Sequence, residues 1–225
     1  MRADPEPPEV PARGEAPDGE AAHELAPDAF LEDVVLARVD HSDDAFDDLR
    51  LDRVQLEGVQ LTGTSLKRSE WRDARLVDCE LSGAVLEKST MLRAELVASR
   101  GLGVVLADAT LRHVRFVDCR LDGANLRTAH LEHCVFERCG LAGADFAGTT
   151  LSAVTFDECD LTGCDFAEAE CDRLFLSRST VDGLDGVAAL LGATVTSDML
   201  VPLGLRALAG LRIVVDDQVD DESAR

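Results

Sequence analysis

Tyrosine is absent from this 225-residue sequence, tryptophan occurs once, and aromatics together make up only 4%. A core short of large rings must be filled by small and medium side chains, so a narrow interior is expected. No apolar run approaches the roughly 18 residues of a membrane helix, so no membrane association is expected. The start, MRADPEPPEV, lacks a basic region followed by an apolar stretch, and a secretory leader is not expected. The seven cysteines are odd in number and contain no C-x-x-C pair. Free thiols in a reducing cytoplasm are the expectation. G-x-S-x-G, P-loop and H-E-x-x-H patterns are all missing. Acids and histidines are spread along the chain, so no enzyme and no cofactor is expected.

Positive charge is also scarce. Forty-four acids face 22 bases, for a net charge of −22. A chain this acidic is not expected to bind nucleic acid directly by neutralising phosphates. Its natural electrostatic partner is a basic protein surface. The charge is uneven: residues 1–45 carry 13 acids and 3 bases, and residues 182–225 carry 8 and 3.

What is present is a repeat. From Leu51 to Val181, 27 consecutive positions spaced by five are apolar, with Gly101 the sole exception. Two residues before each stands mostly a small residue, as in Thr64, Ser69, Ala74, Cys79 and Ala84. Small, polar, large is a short strand with two side chains facing one way. A five-residue period fits neither a helix nor a long alternating strand and points to a solenoid. Glycine recurs every twenty residues from Gly63 through Gly83, Gly103, Gly123, Gly143 and Gly163 to Gly183. Four pentapeptides therefore make one square coil, with one glycine corner built from positive-φ turns.

This frame accounts for the cysteines in DECDLTGCDF (157–166) and elsewhere. Cys79, Cys119, Cys139 and Cys159 lie at multiples of twenty, with Ser99 and Ser179 in the same phase. They form an inward column of small residues. Cys134 and Cys164 take the same small position on other faces, and Cys171 takes a large one. Asp157, Glu158, Asp160 and Asp165 are placed outward.

The triplets Ala124-Asn125-Leu126, Ala144-Asp145-Phe146 and Cys164-Asp165-Phe166 resemble the A-(D/N)-L-x-x pattern of the pentapeptide-repeat family. The resemblance covers Leu51 to Val181. It implies an all-β solenoid, a right-handed quadrilateral parallel β-helix with a small α-helical C-terminal cap. Leu31, Leu36 and Phe46 keep the phase, so a degenerate first coil is expected from about residue 30. The regular part, of 6.75 coils, is about 32 Å tall at one strand spacing per coil.

Residues 1–29 are rich in Pro, Ala and Glu and are expected to be a disordered acidic tail. The β-helix is assigned to 30–183, a C-terminal cap to 184–216 and an acidic disordered tail to 217–225. Within the cap, residues 184–192 read as a short helix or turn. A helix is expected over 197–210, capped by Ser197 or beginning near Val201, with Leu200, Leu203, Leu208 and Leu211 as an apolar stripe. Ile213–Val215 reads as a short strand. Relatives that dimerise through a C-terminal helix suggest the same homodimer here.

His113 and His133 are expected to stack in adjacent coils, with His130 nearby. Three imidazoles suit Zn or Ni, but surface histidines on consecutive corners are the reading adopted. Gly101 removes a core side chain, and a tolerated local defect is favoured over a kink or loop.

Residues 50–138 hold 13 acids and 14 bases, whereas residues 139–172 hold eight acids and no base. Those eight, Asp145, Asp157, Glu158, Asp160, Asp165, Glu168, Glu170 and Asp172, are the candidate partner-binding face. Two functions follow. The first is a non-enzymatic interaction or scaffold protein. The second, implied by the family resemblance, is an acidic DNA mimic that binds and inhibits or protects a type II topoisomerase such as DNA gyrase. Matching the charge density of DNA requires roughly three net negatives per coil. Residues 139–172 reach about −4.7 per coil and residues 50–138 fail.

Overall fold

The structure is a computed structural model that describes residues 4–10 and 25–210. The five-residue period becomes eight stacked square coils. Strands β1 (Phe30–Ala37), β2 (Arg50–Glu57), β3 (Glu70–Val77), β4 (Thr90–Val97) and β5 (Thr110–Val117) each run across one corner and cover two faces. In later coils the same path divides into β6 (His130–Glu132) and β7 (Val135–Glu137), then β8 (Thr150–Ser152) and β9 (Thr155–Asp157), then β10 (Glu170–Asp172) and β11 (Phe175–Ser177). All pairings are parallel, and between coils the register is twenty residues, as in Leu51↔Trp71 and Phe136↔Phe156. Single bridges such as Arg100↔Arg120 on the third face and Asp145↔Asp165 on the fourth continue the same register. At one strand spacing per coil the stack is about 38 Å tall.

The first coil is fully formed, since β1 pairs with β2 from Phe30 to Ala37. Its repeat is blurred because His41 stands at a large position and Asp44 at a small one. His41 meets Phe46 edge to face at 5.1 Å and binds Asp44 through Nδ1.

Left-handed backbone occupies every corner, not only the glycine corner. Each fifth residue from Asp28 to Gly183 has positive φ, among them Asp33, Arg53, Asp73, His113 and Arg138. The N–H of the left-handed residue donates to the next coil, as Asp118 does to the Glu137 carbonyl. Two corners per coil also close with an i+3 turn bond, as from Ala124 to Leu121 and from Ala129 to Leu126. Each corner is thereby paid for in hydrogen bonds, which is how Asp, Arg and His are held where glycine is the usual choice.

Large inward residues form four columns inside. Phe116, Phe136 and Phe156 stack at 4.6 and 4.9 Å, and Phe146 and Phe166 at 4.8 Å. The two columns meet edge to face, the preferred geometry for aromatic quadrupoles. Small inward positions have a polar use. Cys119, Cys139 and Cys159 each direct Sγ to the carbonyl of the residue 23 before, at 3.4–3.5 Å. Thr64 and Ser89 make the same contact through their hydroxyls. A small donor there satisfies a carbonyl of the preceding coil.

Gly101 introduces neither a kink nor a loop. Its N–H keeps the ladder bond to Arg120, and the side chains of Leu121 and Val104 come within 3.1 and 3.3 Å of where a Cβ would stand. A void of about 20 Å³ remains.

The cap continues the stack. A 3-10 turn spans Val187–Leu190, and β12 (Thr194–Val195) pairs with β11. A second 3-10 turn, Ser197–Met199, leads into one helix, α1 (Leu200–Gly210). The helix thus starts two residues later than a Ser197 cap requires and one residue before the alternative start at Val201. Met199 is buried over the last coil, and Asp198 accepts the N–H of Arg178 twenty residues earlier. In the expected apolar stripe, Leu203 packs on the core while Leu200 is exposed. Leu211, the Ile213–Val215 strand and the 217–225 tail lie outside the described residues.

Of the segment 1–29, expected as a disordered tail, the structure describes residues 4–10 and 25–29. Leu25 is buried in the first coil and Asp28 already forms a corner. Residues 4–10 lie against the coils, with the N–H groups of Glu6 and Glu9 bonded to His113 and Asp73.

Candidate partner-binding surface

Coils stacked in register set outward residues twenty apart beside each other, about 4.8 Å away. Charges of opposite sign use this closeness. Arg53 binds Asp33, Arg68 binds Asp48, Arg93 binds Asp73 and Arg138 binds Asp118, each twenty residues apart and each through two guanidinium nitrogens. These hydrogen bonds hold the carboxyls of Asp33, Asp48 and Asp118 below the usual carboxylate range. At Asp73 burial acts the other way, but the bonds from Arg93 and the Glu9 amide outweigh it.

The eight candidate acids do not share one face. Asp157 lies on the second face and is 2% exposed. Arg178 grips both its oxygens at 2.7 Å, and Ser177 Oγ donates to it. Its outward placement in the sequence reading is therefore corrected: its neighbours cover it. Glu158 pairs with the same arginine at 3.1 Å, and Asp172 with Arg173 at 3.0 Å. Glu170 and Asp172 belong to the first face through β10.

A smaller group does converge on the third and fourth faces. Asn125, Asp145, Asp165 and Asp185 are bridged in one column. Asp145 takes an ion pair from Arg127 at 2.9 Å. Asp160, Asp165, Glu168 and Glu170 form no ion pair among the described residues. Asp160 is held below the usual carboxylate range by hydrogen bonds from Thr162 and Thr180. Part of this column is structural, since Asn125, Asp145 and Asp165 each accept the backbone N–H two residues on, the local bond that favours Asx residues at turns. Asp182 and Asp185 are exposed and extend the patch toward the cap. The twenty-residue phase that finds Asp165 also finds Asp185, but a count ending at residue 172 misses it. Between residues 127 and 178 ten acids meet four arginines, about −2.3 per coil and below the DNA-like density.

Beside this patch the cap leaves an open cleft of about 890 Å³, lined by Leu184, Val187, Leu190, Leu203 and Ala207 among others. Leu191 and Leu200 are exposed on its lining, and Val201 and Leu205 are exposed elsewhere on α1. His113 and His133 stack at 4.9 Å on a corner, whereas His130 lies on the flat first face. Among the described residues no three His, Cys, Asp or Glu side chains gather with metal-holding geometry.

A family model described as a pentapeptide repeat region matches residues 69–146 and 109–185. No curated protein matches the chain. Among solved structures, trypsin-treated QnrB1, described as a plasmid-mediated fluoroquinolone resistance protein, is similar at 19% identity and a TM-score of 0.56, over 82% of this chain and 99% of that one. HetL from the cyanobacterium Nostoc sp. strain PCC 7120, described as involved in heterocyst differentiation regulation, aligns at 16% identity and a TM-score of 0.49, over 69% and 84%. The repeat phase, the stacked coils and the matched residues agree, and the chain belongs to the pentapeptide-repeat family.

Proposed function

We propose that this protein is a non-enzymatic interaction module that acts in the cytoplasm and binds a basic surface of a protein partner through the fourth face of its last coils. The observation that carries this reading is the column Asn125, Asp145, Asp165 and Asp185, flanked by Asp160 and Glu168. A filled core leaves the outer faces as the working surface, and the carboxylates of Asp160, Asp165 and Glu168, which form no ion pair among the described residues, attract and orient a basic partner. Seven unpaired cysteines, six of them buried, support the compartment. A photo-crosslinking residue at position 168 is expected to capture the partner in cells, and one at position 110, on the first face, is not. Equal capture from both positions would sink the assignment. A second copy is assigned to the cap, which exposes four apolar residues, two of them, Leu191 and Leu200, on the lining of the cleft.

The second reading is a DNA mimic acting on DNA gyrase. It is favoured by carboxylates repeating at about 4.8 Å along the rod and opposed by the arginines that neutralise the neighbouring coils. The test is gyrase supercoiling with the native protein and with a variant carrying Asp160→Asn, Asp165→Asn, Glu168→Gln and Asp185→Asn. Inhibition lost in the variant supports the mimic. No inhibition at micromolar protein removes it and leaves the first reading standing.

A further inference from the structure

The stretch DPEPPEV, residues 4–10, lies along the corner where Asp73, Arg93 and His113 follow one another in three successive coils. Glu6 donates its N–H to His113 Nδ1 at 3.1 Å, and Glu9 donates its N–H to Asp73 Oδ1 at 3.1 Å. Two coils separate those acceptors, about 9.6 Å at 4.8 Å each. Three residues of polyproline II helix advance about 9.3 Å. The strap and the solenoid therefore keep the same step. Prolines at 5, 7 and 8 favour that extended form and carry no N–H. The only amides from residue 5 to residue 9 are those of Glu6 and Glu9, and both are bonded. Pro5 and Pro8 are half-buried while Glu6, Pro7 and Glu9 face outward, a three-residue period that turns one proline edge to the coil. Arg93, gripping Asp73 at 2.6 and 2.7 Å, stands between the two anchor points. The hydrogen bond to Asp73 chiefly, and the nearby carboxylates of Glu6 and Glu9 after it, strengthen its hold on the proton.

We propose that the Asp73–Arg93–His113 corner is a binding site for an extended acidic peptide segment with prolines at a three-residue spacing, and that residues 4–10 fill it in cis as a displaceable strap. The site lies on a different corner from the acidic fourth face, and its recognition chemistry is independent of that surface. A tethered segment competes at an effective concentration of about millimolar, so a peptide in trans binds well only when the strap is released.

The experiment follows the Glu6 and Glu9 amides of the full chain by solvent-exchange NMR. Both are expected to exchange at least tenfold more slowly than in the free peptide spanning residues 1–12. His113→Ala is expected to return Glu6 to the free rate while Glu9 stays protected. In the full chain carrying Pro5→Gly and Pro8→Gly both amides are expected to be released at unchanged thermal midpoint. That variant is expected to bind the added 1–12 peptide at least tenfold more tightly than the native chain, read from the His113 imidazole resonances. Free-rate exchange of both amides in the native chain would overturn the proposal. So would a peptide that binds both chains equally, or neither at several millimolar.

Discussion

Asp157 and Asp172 are chemically alike and physically opposite. The Asp172 side chain is 71% exposed beside Arg173, whereas Asp157 is 3% exposed beneath Arg178. Removing one partner of a buried pair leaves a charge without compensation, while an exposed pair is largely replaced by water. Arg178→Met is expected to destabilise the fold by about 1–3 kcal/mol, a range discounted because the guanidinium is itself half exposed. Arg173→Met is expected to stay within about 0.5 kcal/mol. Urea unfolding of the two variants measures both, and equal effects would contradict the assignment. Thiols give a second expectation. Burial pushes the thiols of Cys134 and Cys164 up to about 12 and that of Cys171 to about 11, from 9.0. A raised pKa stabilises the fold below the unfolded value, and the contribution is lost as pH rises through the interval between the two. The urea midpoint is therefore expected to fall progressively above about pH 9 and to do so less in a Cys134→Ala, Cys164→Ala variant.

The five-residue element was legible because the solenoid needs one large and one small inward residue per side, and those are the residues that repeat. The corners were legible only where they hold glycine. Elsewhere the left-handed residue is most often Asp or Arg, with His, Lys, Glu, Ala and Thr at the rest, stabilised by bonds to the next coil, and a single sequence gives no sign of that support. The distinction can be tested at two glycines. At Gly143, with φ of 69°, an added Cβ meets nothing within 4 Å. Gly143→Ala is expected to cost about 1 kcal/mol, for backbone strain alone, with Asn cheaper and Val dearer. At Gly186 a Cβ would stand 2.3 Å from Phe166 C and Ala167 N. Those are backbone atoms and cannot yield without opening the junction between the last coil and the cap. Gly186→Ala is expected to lower stability more than Gly143→Ala and to raise hydrogen exchange at Met199 and along α1. Equal costs would place the cap elsewhere.

For the whole molecule, counting charge along the chain gave a poor map of charge on the surface. The eight acids between residues 139 and 172 separate onto different faces, and Arg127, Arg173 and Arg178 reach in from outside that interval. The strap was equally invisible, because PEPPE has little to bury and its docking depends on a match of pitch with coils far away in sequence. What the repeat does dictate is an end. Each coil buries its edges on its neighbours, so the last one needs a cover. Met199 and Leu203 supply it while Leu191, Leu200, Val201 and Leu205 remain exposed, Leu191 at 88%. A cover made only to seal the stack would turn polar residues outward. The second copy assigned to this face is expected to make the native chain a dimer by light scattering at about 100 µM, a concentration that detects interfaces as weak as about −5 kcal/mol. Leu200→Glu with Leu205→Glu is expected to give a monomer with an unchanged far-ultraviolet spectrum, since both side chains already face solvent. A native monomer at that concentration would remove the homodimer and leave the apolar rim to the same protein partner that the neighbouring acidic face attracts.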